Sequence, residues 1–79
     1  METNTYIATF FTHYGAISFQ RHCVGKGYRG ELMPVPRFLS SSCGTCVRFE
    51  AENWDLGYHN EALDGIFWVH GESSTRMNG

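Results

Sequence analysis

Apolar residues follow two rhythms along this chain, and the switches between them predict its elements. Residues 6–11, Tyr-Ile-Ala-Thr-Phe-Phe, are aromatic and β-branched over a strand's length, which predicts a first strand. Thr12 then offers a hydroxyl to cap a helix, and Ala16, Phe19 and Cys23, with Ile17 and Val24 beside them, recur at helical spacing. A helix over 12–24 follows, stopped by Gly25-Lys26-Gly27, whose glycines suit a C-cap rather than a phosphate-binding loop. Residues 31–35 read as a second strand, and Pro34, lacking a ladder donor, places it at a sheet edge or near a strand end. Residues 46–51 alternate cleanly, with Val47, Phe49 and Ala51 on one face and Cys46, Arg48 and Glu50 on the other.

The second half is less regular. Asn53 suits the cap of a short second helix through Trp54, Leu56, Tyr58 and Leu63, although Gly57 weakens it by about 1 kcal/mol relative to alanine. Asp64-Gly65 reads as a turn, 66–69 as a final strand, and the polar residues 1–5 as a frayed start. One domain over 1–70 is expected, followed by a disordered tail over 71–79. The order βαββαβ is that of an α+β, ferredoxin-like sandwich, a four-stranded antiparallel sheet with two helices on one face. Its other face would lie open, and the apolar run 66–69 would add to an exposed patch there. Docking of a protein, or a homodimer through that open face, is the expected consequence.

Composition narrows the classes. A core of 79 residues supplies little net stability, yet a hydrophobic content of 42% with 15% aromatic residues is enough to fold without disulfides or a structural metal. The net charge of −2 provides no positive field for nucleic acid. No apolar run approaches the roughly 20 residues a spanning helix requires, and no basic-then-apolar leader opens the chain, so no membrane partner is expected. Three cysteines fit a reducing, cytoplasmic interior better than a secreted disulfide framework.

The chemistry is concentrated in 34–49, where Cys43 and Cys46 form a CxxC flanked by Arg37 and Arg48. A thiol reacts as its thiolate, and a free cysteine with a pKa of about 8.5 is only slightly ionised at neutral pH, so nearby cations and donors raise the reactive fraction. Arg37, Arg48 and the small residues Ser41, Ser42 and Gly44 are the candidates for holding an anionic sulfur. Pro34 and Pro36 stiffen the approach, whereas 40–44 can turn amides and hydroxyls inward. Cys43, beside a glycine, is the better-exposed nucleophile; Cys46, entering a strand, suits a resolving or supporting role. No second CxxC or close Cys/His pair completes a zinc site within one chain, so neither metal nor other cofactor is expected unless two chains share one. A thioredoxin arrangement does not fit, because the CxxC runs from a loop into a strand rather than opening a helix. Cys23 reads as a buried core thiol, and His13, His22, His59 and His70 as surface or helix-end residues.

Three functions remain open on these residues: a sulfur carrier, a two-thiol oxidoreductase, and a protein-interaction or regulatory module with incidental cysteines. At Pro34-Val35-Pro36-Arg37, Ser40-Ser41-Ser42-Cys43-Gly44 and Val47-Arg48-Phe49-Glu50 the chain resembles a small bacterial family described as selenium/sulfur carrier protein-like. The resemblance extends over about 6–69 in element order and is sharpest over 35–49. It implies carriage of sulfur or selenium on Cys43, with a cysteine desulfurase or other sulfur or selenium donor on one side and an acceptor protein on the other. Enzymatic activity would then be sulfurtransferase-like at most. Cys46 departs from the family pattern, where an apolar residue is acceptable.

Overall fold

The computed structural model describes residues 3–39, 43–58 and 60–78. Six elements follow in the order β1 (Asn4–Phe10), α1 (His13–Gly25), β2 (Arg29–Pro34), β3 (Thr45–Ala51), β4 (Leu63–His70) and β5 (Ser73–Arg76). The class is α+β as expected, but among the described residues the sheet has five strands in the order β2-β3-β1-β4-β5, every neighbouring pair antiparallel, and one helix covers it. β1 and β2 run the same way with β3 between them, so the α1 crossover keeps the split βαβ topology. The ferredoxin-like pattern of four strands and two helices is not what forms.

Period-2 pairing sorts the residues. Tyr6, Ala8 and Phe10 of β1 share a face with Val47, Phe49 and Ala51 of β3 and with Ile66 of β4, and these pack with Ala16, Phe19 and Cys23 of α1 as the core. Phe19 sits at its centre, its ring 5.4 Å from Phe10, 5.2 Å from Phe49 and 5.0 Å from Tyr58 between centroids. Thr12 caps α1 as predicted, its Oγ1 accepting from Gly15 N–H at 3.0 Å. At the other end Gly27 takes φ +86 and donates to Val24 O at 3.0 Å, which confirms the glycine stop. β2 is an edge strand, so Pro34 lies where its missing donor costs least.

Four expectations are overturned. The predicted second helix does not form among the described residues: 52–58 and 60–62 are irregular, because Asn53, Asp55 and Asn60 accept from the N–H groups of Asp55, Gly57 and Ala62 two residues on, at 3.4, 3.0 and 2.7 Å. Such local bonds compete with a helix, and Gly57 at φ +74 breaks one outright. His59, inside that predicted helix, lies outside the described residues. Asp64-Gly65 is no turn either. β4 opposes β1 with Gly65 against Thr9 and Leu63 against Phe10, leaving Asp64 as an extra residue in a bulge. At the start, Asn4 and Thr5 are already paired in β1 rather than frayed.

The expected tail is also structured. β5 pairs with β4, Met77 N–H donates to Ile66 O at 2.8 Å, and Ile66 N–H donates to Asn78 Oδ1 at 2.8 Å. The sheet face opposite α1 is not fully open, since Ile7, Thr9 and Cys46 on it are buried. Phe38 and Leu39 of the β2–β3 loop line one concave surface with Phe67, Ser74 and Arg76 of that face.

Candidate functional site

The Cys43–Cys46 segment turns at the start of β3 and is held from two sides. Gly44 occupies φ +74, a left-handed conformation that a side chain would strain, and its carbonyl accepts from Val35 N–H at 3.1 Å. Cys46 Sγ–H donates to Pro34 O at 3.7 Å, joining the thiol to the end of β2. Cys43 Sγ–H donates to Thr45 O at 3.4 Å. On the far side of the turn, Thr45 Oγ1 and His13 Nδ1 share a hydrogen bond of 2.9 Å, so the first residue of α1 also reaches the site.

All three cysteines carry thiols, in different surroundings. Cys43 is half-buried and packs against the edge of the core, whereas Cys46 and Cys23 are wholly buried. Burial, with a smaller contribution from repulsion by Cys43, pushes the Cys46 thiol up to about 11. Burial likewise raises Cys23 to about 11, opposed in part by a backbone hydrogen bond, and Cys23 sits on the core side of α1 as its position in the apolar stripe predicts.

The two arginines lie on different segments. Arg48 shares the face of Cys46, as the alternation predicts, and its Nη1 stands 3.9 Å from Glu50 Oε2. Arg37 is exposed in the loop after β2. Ser41 and Ser42 lie outside the described residues. Among the described residues, no three His, Cys, Asp or Glu side chains converge as a metal site. Of the other histidines, His22 is joined to Leu56 O at 3.0 Å and His70 to Thr75 Oγ1 at 2.9 Å, neither beside the cysteine turn.

Sequence reasoning missed the link between His13 and Thr45. The signal lay in the pairing: once residues 6–11 and 46–51 are read as antiparallel neighbours, the exit of the first strand comes beside the entry of the other. Thr9 does stand opposite Cys46.

A family model described as "Putative Se/S carrier protein-like" matches residues 5–56, which run from β1 through the cysteine turn and past the end of β3. The chain belongs to that family. No curated protein and no solved structure matches it. Among the described residues no helix is long and apolar enough to cross a membrane.

Proposed function

We propose that this protein carries sulfur or selenium on a single thiol, Cys43, between a donor such as a cysteine desulfurase and an acceptor protein. The observation that carries the reading is the contrast among the three thiols: Cys43 is the one with surface exposure, on a glycine turn inside the segment the family model matches. In the loading step Cys43 thiolate attacks the terminal sulfur of a donor persulfide. A new S–S bond forms to Cys43, the donor's S–S bond breaks, and the donor leaves as a thiolate. The acceptor's thiolate then takes the terminal sulfur and regenerates Cys43. Arg37, exposed on the loop leading to the turn, supplies positive charge for the anionic intermediate, with Ser41, Ser42 and the Gly44 amide as donors and Arg48, tied to Glu50, as a second charge.

Cys46 bears on the choice between one thiol and two. Its ionisation is opposed by Cys43, which favours closeness of the two sulfurs and hence a dithiol alternative. Attack by Cys46 on the inner sulfur of a Cys43 persulfide would close a disulfide and expel hydrosulfide. Burial and the bond to Pro34 O hold Cys46 protonated, so this discharge is slow and the loaded form persists. Incubation with a cysteine desulfurase and cysteine separates the readings. Cys46→Ser is expected to load sulfur as the parent does and Cys43→Ser to lose loading; loss of loading in a folded Cys46→Ser protein favours the two-thiol oxidoreductase instead.

A further inference from the structure

The start of α1 brings to the cysteine turn a side chain that the carrier chemistry does not yet use. Thr45 stands between two groups: its hydroxyl shares the 2.9 Å hydrogen bond with His13 Nδ1, and its carbonyl accepts from Cys43 Sγ–H at 3.4 Å. The sheet fixes this juxtaposition, because Thr9 opposite Cys46 puts the chain leaving β1 beside the chain entering β3. At the apex of the turn, no described residue other than its chain neighbours lies within 4 Å of where a Gly44 side chain would project. Its geometry therefore depends on tethers, the Val35 N–H to Gly44 O bond at 3.1 Å on the β2 side and His13 on the α1 side. His13 is exposed and has no place in the core, so its role is to be sought in what it holds.

We propose that His13 is a positioning residue for the Cys43 thiol, acting through the Thr45 hydroxyl. Whichever tautomer is present, Nδ1 can complete the bond: unprotonated it accepts from the threonine O–H, and protonated it donates to Oγ1. Holding Thr45 holds the carbonyl that accepts from the Cys43 thiol, which fixes where Sγ points before its proton leaves, and displacement attack on sulfur is sensitive to that orientation. The inference rests on the carrier reading for its biological meaning, but the geometry it asserts is testable separately.

Inorganic polysulfide serves as a donor that needs no protein docking: Cys43 thiolate attacks a chain sulfur, a new S–S bond forms, and a shortened polysulfide leaves with the electron pair of the broken bond. Loading rates are read by quenched intact mass, with thermal melting of each variant alongside. His13→Ala and Thr45→Val should each slow loading about fivefold, the effect of one net hydrogen bond, and the double variant should be no slower than either single one. His13→Asn, whose amide falls near the Nδ1 position, should recover most of the rate, whereas His13→Gln, which reaches the Nε2 position, should not. Unchanged loading in His13→Ala, additive losses, or equal losses with Asn and Ala would overturn the proposal. If the parent itself fails to load, the carrier reading falls. The same variants are then compared by iodoacetamide alkylation of Cys43, where the same pattern of loss and rescue upholds the positioning role and indifferent rates overturn it.

Discussion

Cys46 and Cys23 meet the same environment and make the same physical statement: a neutral thiol fits the interior and a thiolate does not. Both are pushed up to about 11, while a thiol in the unfolded chain ionises near 8.5. Between those values the unfolded chain has lost protons that the folded one retains, so the associated stability is full below about pH 8.5 and is lost as pH rises through about 11. Urea unfolding at pH values of about 7.5 and 10 should show a decline on the order of 2 kcal/mol per thiol, flattened in Cys23→Ala and in Cys46→Ala. A slope the same in both variants as in the parent would contradict the burial argument. The same contrast predicts that limiting alkylation of the folded protein near pH 8 labels Cys43 ahead of the other two, as peptide mapping would show. The placements of the three cysteines, two buried and one half-buried, were legible in the sequence because each sits in a recognisable pattern: an apolar helical stripe, a glycine turn, a strand entry. His13 was not legible, since its meaning depends on a strand pairing that no local pattern encodes.

At the scale of elements, close approach rather than propensity decides the glycines of the α1 packing. Replacing Gly15 by alanine improves intrinsic helix propensity by about 1 kcal/mol, but the new Cβ would stand 2.5 Å from Ala62 Cβ. The clash wins, and Gly15→Ala should cost a net of about 1–3 kcal/mol. Gly30→Ala should cost about as much, because its Cβ would stand 2.9 Å from Cys23 Cβ where β2 packs on α1, a contact also joined by Gln20 Nε2 donating to Gly30 O at 3.2 Å. Thermal melting checks both, and a raised melting temperature in either variant would show that the loop or helix yields freely. Elements with a strong period, β1, α1 and β3, were readable in the sequence. The second helix was misread because spaced aromatic and apolar residues in 54–63 mimic a helical face, while three Asx side chains and Gly57 favour turns. β5 was missed because Ser-Ser-Thr-Arg is polar on both faces, and its strand character comes from pairing with β4 and from Arg76 Nη2 donating to Asp64 O at 2.9 Å.

For the whole molecule, a small core concentrates its stability in few side chains. Phe19 packs on the rings of Phe10, Phe49 and Tyr58, and Phe19→Ala should cost about 3–5 kcal/mol, enough to leave a domain of this size largely unfolded by circular dichroism. The antiparallel sheet brings distant segments together: β1 delivers the start of α1, and β2 delivers Pro34 and Val35, to one turn at the mouth of β3. The central claim is that this assembly makes Cys43 the loaded thiol. The most direct measurement is intact mass followed by peptide mapping of the parent protein after incubation with a cysteine desulfurase and cysteine. A gain of about 32 Da per sulfur located on Cys43, with Cys23 and Cys46 unmodified, is the expected result. Stable labelling of Cys23 or Cys46 with Cys43 unmodified would contradict it.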